Sequence, residues 1–221
     1  MRQLEQFSQL LIALNGYDSH VGALPDSDQQ NARGESLYSW RLSLMGFVQA
    51  VKDSIDYEQS WTAEWHRGWL RTRPAVYFSG RRSPKRGDYV GSVSVVIGPG
   101  TPFQEQGSMQ LENVPCDTIL IIEAQGFSKH WMAPGDLRLY ELNESLLDGT
   151  DGDGVMVGFA DGEIWLISPE VPLTTLKKYF VATDHPPRDR NKELLPFRLS
   201  SDRVEMTACT GSTGTEKKEG R

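Results

Sequence analysis

Apolar residues recur at helical spacing from the start of the chain. Leu4, Phe7, Leu10, Leu11 and Leu14 form one stripe, which predicts an amphipathic helix with a single buried face. Asn15-Gly16 predicts its left-handed stop. Residues 18–36 are rich in Asp, Ser, Gln and Gly and read as a loop. Ser39 is placed to cap a second helix whose inner face carries Trp40, Leu44, Phe47, Val48 and Val51. Trp61, Trp65 and Trp69 fall four apart and predict a short third helix with its tryptophans along one side. Core packing is the preferred reading of that side, and a cofactor or sugar platform is the alternative.

From Pro74 the period changes. Residues 75–79, 89–97 and 118–124 are short β-prone runs bounded by Gly and Pro, and 137–140 is a further candidate. Residues 155–160 and 163–167 flank Asp161-Gly162, which predicts a hairpin with a two-residue turn and positive φ. Pro172 opens a closing helix over 173–182, ended by His185-Pro186-Pro187. Helices first and strands later predict an α+β domain with an antiparallel sheet, a single unit over residues 1–199. Periodicity is lost beyond about 200, so 200–221 read as a disordered tail, most clearly in the Ser/Thr/Gly/Lys/Glu-rich stretch from Gly211.

Charge narrows the partners. The 221 residues carry 23 basic and 30 acidic side chains, a net charge of −7, which argues against nucleic acid as a partner. Arg81, Arg82, Lys85 and Arg86 cluster around Pro84 and Gly87 and read as a solvated loop. No apolar run approaches the roughly 20 residues needed to span a bilayer. Met1 leads straight into a polar amphipathic segment rather than a signal peptide. Cys116 and Cys209 fit no metal spacing and are either one disulfide or two free thiols.

Candidate chemistry is sparse. His20, His66, His130 and His185 include no pair at helical ligand spacing, which excludes a helical zinc pair. Ser92 and Ser94 lack a Gly-x-Ser-x-Gly setting. The stretch from Gly98 to Thr101 lacks the Lys-Ser/Thr of a phosphate loop. Asp148, Asp151 and Asp153 lie on a Gly-rich loop and are the candidate calcium ligands; a solvated acidic connection is the competing reading. Glu123 ends a very apolar strand and is expected to pair with Arg41, which follows the inward-facing Trp40. His130-Trp131 reads as loop packing, with a binding rim as the alternative. Trp40, Arg41, Glu123, Trp131, Asp161 and Gly162 are therefore structural candidates, calcium is the one cofactor suggested, and nothing in the chain suggests an enzyme.

Collinear segments over residues 4–190 resemble a large bacterial family of unknown function, best known from planctomycetes. Its members carry a pilin- or pseudopilin-like N-terminal helix and often a C-terminal H-x9-D-G signature. Leu10 to Leu14 followed by Tyr17-Asp-Ser-His-Val-Gly-Ala-Leu-Pro25 resembles the end of that helix and its "Y-H-D-x-x-G-x-F-P" loop. Tyr38-Ser-Trp-Arg-Leu-Ser-Leu-Met-Gly-Phe-Val-Gln49 is similar to "L-S-W-R-v-x-l-L-P-y-l-E-Q", and Asp56-Tyr-Glu-Gln-Ser-Trp61 to "D-E-P-W-D". Val96-Ile-Gly-Pro-Gly-Thr-Pro-Phe103, Asp117-Thr-Ile-Leu-Ile-Ile-Glu123, Trp131-Met-Ala-Pro-Gly-Asp-Leu137 and Phe159-Ala-Asp-Gly-Glu-Ile-Trp165 resemble further segments in the same order. The chain departs at Asp151, where the family has the signature His, at Gly46 for Pro, and at Cys116-Asp117 for Ser-Asn. The hydrophobic half of the family's N-terminal helix has no counterpart here.

The resemblance implies a pilin-like fold, with the N-terminal helix packed on an antiparallel sheet and additional short helices. It implies a non-enzymatic structural or interaction protein of the cell envelope, a pseudopilin- or minor-pilin-like subunit in a secretion-type assembly. Its partners would be other pilin-like or envelope proteins, with membrane contact only through an N-terminal helix absent from this chain. The location implied is the envelope or the extracellular space, or the cytoplasm if no anchored precursor exists. An extracellular binding module for carbohydrate or calcium is the alternative, and a hydrolase comes last.

Overall fold

The N-terminal stripe folds as predicted but runs further. In the computed structural model, which describes residues 2–48, 55–72, 74–78, 89–124, 129–147, 154–183, 188–206 and 209, helix α1 spans Arg2–Val21. Phe7, Leu10, Leu11 and Leu14 are fully buried along one face, each contributing about 1.5–3 kcal/mol of burial. Asn15-Gly16 does not stop the helix. Gly16 instead lets another element approach: a Cβ there would lie 3.1 Å from the Phe47 ring. The stop is Gly22, at φ 87°, whose N–H donates to the Asp18 carbonyl at 2.7 Å.

The stretch read as a loop contains an antiparallel ribbon, β1 (Asp28–Gln30) with β2 (Ser36–Ser39). The predicted second helix is two single turns, α2 (Trp40–Ser43) and α3 (Met45–Val48). The Ser39 hydroxyl does not cap it, because that hydroxyl donates to the Trp131 carbonyl at 2.7 Å. Val51 lies outside the described residues. The tryptophan series forms no single helix but two separate 3-10 turns, Glu64–His66 and Trp69–Arg71. The buried His66 imidazole organises the first: its Nδ1 donates to the Ser60 carbonyl and its Nε2 accepts from the Asp56 N–H. Trp61 and Trp69 pack against the core, whereas Trp65 is 65% exposed.

The later strands in chain order are β3 (Val93–Ser94), β4 (Val96–Ile97), β5 (Ile119–Glu123), β6 (Leu137–Arg138), β7 (Val155–Phe159), β8 (Glu163–Ile167) and β9 (Arg198–Arg203), with helices α4 (Leu173–Lys178) and α5 (Arg190–Glu193) between β8 and β9. Among the described residues, β3-β5-β7-β8-β9 form a five-stranded antiparallel sheet, so the protein is α+β. β4 and β6 form a separate parallel pair. Residues 75–77, expected as strand, are a 3-10 turn. The closing helix ends at Lys178, short of 182. The strand β9 lies across the boundary predicted at 199, and Cys209 is bonded to Cys116, so the ordered unit extends past 200.

Both faces of the sheet are covered, which is why β5 is buried along its whole length and apolar from Ile119 to Ile122. Leu120 and Ile121 face the cluster containing α1, while Ile119 and Ile122 face the cluster under α4. A register irregularity between Ile119 and Ile121 explains why two consecutive residues share one side. The helix α1 crosses this first face at β7. A Cβ on Gly158 would come within 2.9 Å of Ile121 Cγ1 and 3.1 Å of Leu11 Cδ1, so glycine sets the distance between helix and sheet. The β7–β8 hairpin forms as predicted, but its loop is three residues, 160–162. The Gly162 N–H closes a turn onto the Phe159 carbonyl at 3.0 Å, and Gly162 itself takes the positive φ, 83°. No described helix is long and apolar enough to cross a membrane.

Candidate functional site

Four side-chain groupings can be tested for chemistry. The first surrounds Arg41. Its Nη2 lies 2.9 Å from Asp136 Oδ2, and it donates to the Val93 carbonyl at 2.6 Å. Trp40 Nε1 donates to the same carboxylate oxygen. The Tyr77 hydroxyl donates to the Arg41 carbonyl at 2.6 Å. The ring of Tyr77 stacks on Trp131 at 5.7 Å. The anion in this ion pair is Asp136, which the sequence did not suggest. Glu123 is nevertheless close by, as the register partner of Val93, whose carbonyl Arg41 binds. With Arg41 and Asp136 both buried, this grouping clamps α2 to the chain around β3 and β6 and offers a substrate no access.

The second grouping lies at the hairpin. Asp161 does more than turn the chain. Its Oδ1 accepts from the Glu163 N–H at 3.1 Å, and its Oδ2 lies 2.6 Å from Arg190 Nη2. The Arg190 guanidinium covers the Phe159 and Trp165 rings at 4.6 and 5.0 Å. Two residues earlier, Arg188 grips both oxygens of Asp117 and donates to the Lys178 and Val181 carbonyls, which ties the end of α4 to the start of β5. These arginines are anchors, and their donors are spent on the fold. Gly162 fits the same reading: a Cβ there would collide with the Val204 carbonyl at 2.1 Å.

The third grouping is the aromatic wall at His130-Trp131. His130 stacks on Trp61 at 5.2 Å and lies 5.8 Å from Tyr89. Its Nδ1 accepts from the Met132 N–H and its Nε2 donates to the Leu70 carbonyl, so both nitrogens of the neutral ring are committed. Burial pushes the imidazole below its ordinary pKa, and the Leu70 bond opposes that in part. The tryptophan Trp131 is fully buried and donates from Nε1 to the Thr72 carbonyl. This is the packing role preferred from sequence, held by specific hydrogen bonds.

The fourth grouping was not visible in the sequence. A cleft of about 770 Å³ opens beside the β4–β6 pair. Ile97, Pro99 and Leu139 form its apolar part, Gln104, Glu105, Gln106 and Arg138 its polar part, and Gly98, Tyr140 and Lys177 complete the lining. Tyr140 is 74% exposed. Glu105 Oε1 and Arg138 Nη2 are 2.6 Å apart. The residues come from three segments distant in sequence, and no periodic pattern links them. An exposed aromatic among polar neighbours is the one signal that could have drawn attention.

Asp148, Asp151 and Asp153 lie outside the described residues. Among the described residues, no three or more His, Cys, Asp or Glu side chains gather so that they could hold a metal. Comparisons with the profiles of known protein families, with curated proteins and with solved structures find no match.

Proposed function

We propose that this protein is a non-enzymatic interaction subunit of the bacterial cell envelope, built on a pilin-like scaffold. The observation that carries this reading is α1 lying across the antiparallel sheet, with Leu11 seated over Gly158. That arrangement suits a protein whose N-terminal helix joins a larger assembly while its sheet domain presents a surface. The collinear motifs between residues 4 and 190 support the same reading. So does the Cys116–Cys209 disulfide, since such bonds persist in oxidising compartments outside the cytosol. The partners would be other pilin-like or envelope proteins. A calcium ion on Asp148, Asp151 and Asp153 belongs to the same proposal and would appear as a calcium-dependent rise in melting temperature.

The test is fractionation of bacteria expressing the tagged full-length protein from its own gene, combined with thiol labelling before and after reduction. The reading predicts recovery from the envelope or medium with both cysteines blocked until reduction. Recovery from the cytosol with both thiols free would refute it. A second reading, an extracellular binding module, is favoured by the cleft beside β4 and β6.

A further inference from the structure

We propose that the Tyr140 cleft binds a neutral oligosaccharide. The cleft, at about 770 Å³, falls within the roughly 300–1,000 Å³ of small-molecule sites and admits a short chain of sugar rings. Its surfaces match the two chemistries of a pyranose. Ile97, Pro99, Leu139 and the exposed Tyr140 ring supply apolar area for the C–H face of the sugar.

The polar groups supply acceptors and donors together. Gln104 Nε2 is committed to the Gly98 and Thr101 carbonyls, and Gln106 Nε2 to the Asp28 and Glu105 carbonyls. Each amide therefore offers its oxygen as an acceptor. Arg138, Lys177 and the Tyr140 hydroxyl offer donors. A sugar hydroxyl both donates and accepts, so a polyol satisfies this mixed set, whereas a ligand restricted to one role does not. Charge agrees. Of the lining cations Arg138 and Lys177, the first is already matched by Glu105 at 2.6 Å. An anionic ligand would meet that carboxylate.

The site is also preorganised. The Gly100 carbonyl accepts from the Ala182 and Thr183 N–H groups, which fastens the 98–101 turn to the segment after α4. Thr101 Oγ1 lies 2.9 and 2.8 Å from the Gly98 and Phe103 carbonyls, and its single hydrogen is shared between them. Tyr140 sits in a turn closed by the Glu141 N–H on the Arg138 carbonyl at 2.8 Å, and the Arg138 N–H donates to Glu141 Oε2. A fixed platform loses little entropy when the ligand docks.

This inference stands apart from the envelope reading, because it is tested on the purified chain whatever its location. The experiment titrates the full chain with cellotriose, maltotriose and chitotriose, and with a sulfated heparin oligosaccharide, by calorimetry and two-dimensional NMR. The expected result is saturable binding of at least one neutral trisaccharide at millimolar concentration or below, with shifts at residues 97–106 and 138–140. Tyr140→Ala should weaken it about tenfold or more, and Tyr140→Phe should keep most of the affinity. Both variants should melt as the parent does, since the side chain is exposed. The proposal is overturned if no neutral trisaccharide binds at millimolar concentration, if Tyr140→Ala binds as well as the parent, or if only the sulfated oligosaccharide binds.

Discussion

The Arg41 guanidinium and the Asp136 carboxylate meet at 2.9 Å with their side chains 1% and 0% exposed. Such a pair is a poor source of net stability compared with apolar packing, yet removing one partner leaves a buried charge without its counter-ion. Asp136→Ala is therefore expected to cost about 3–5 kcal/mol in urea denaturation. It also strips Trp40 Nε1 of its acceptor. Arg41→Met combined with Asp136→Leu should cost clearly less than the sum of the two single changes. Additive losses would mean that the two charges do not depend on each other.

How far the sequence reached is plain around this pair. It placed Arg41 inward beside Trp40 and at the end of β5, which is where it lies. It did not suggest Asp136, because only the tertiary course of the 130s loop brings that carboxylate to the guanidinium. The hairpin and β5 were legible because their patterns are strong and local. The missing cap at Ser39 was not, because its hydroxyl bonds to Trp131, 92 residues away. The strand β9 was missed for a related reason. All six of its residues are exposed, so no alternation marks it, and its hydrogen bonds to β8 hold it. The cleft residues carry no pattern at all, since three separate segments converge there.

The contact between α1 and the sheet gives a sharper test. Leu11→Ala should destabilise the fold by about 2–5 kcal/mol, the range for truncating a fully buried leucine. Gly158→Ala should also destabilise it, because its new methyl would meet Ile121 and Leu11 at 2.9 and 3.1 Å. In the double variant the truncation at position 11 removes one of those two clashes. The combined loss measured by denaturant unfolding should fall short of the sum. A sum met in full would place α1 away from Gly158.

The disulfide from Cys116 to Cys209 joins residues 93 apart in sequence. Closing so long a loop restricts the unfolded chain, and its loss is expected to cost about 2–4 kcal/mol. A reductant, or Cys209→Ser, should lower the melting temperature. It should also speed amide exchange in β9 more than in β5, because the bond tethers the chain just beyond β9 to the approach to β5. An unchanged melting temperature under reduction would show that the thiols are not joined in solution.

His130 sets a pH dependence whose sign can be worked out. Burial holds its folded-state pKa below the ordinary value, and the unfolded chain titrates near about 6.5. Above the unfolded value both states are neutral at this ring and its contribution is complete. As pH falls through the unfolded value towards the lower folded one, the unfolded chain takes up the proton first, so stability declines. Protonation would also place a hydrogen on Nδ1, which now accepts from the Met132 N–H, and would set two donors face to face. Urea unfolding followed between about pH 7.5 and 5 should therefore show a loss of stability that His130→Gln reduces. The variant will begin from a lower plateau, because it gives up the stack on Trp61. The slope, not the plateau, reports the titration. An equal slope in parent and variant would assign the acid sensitivity to other groups.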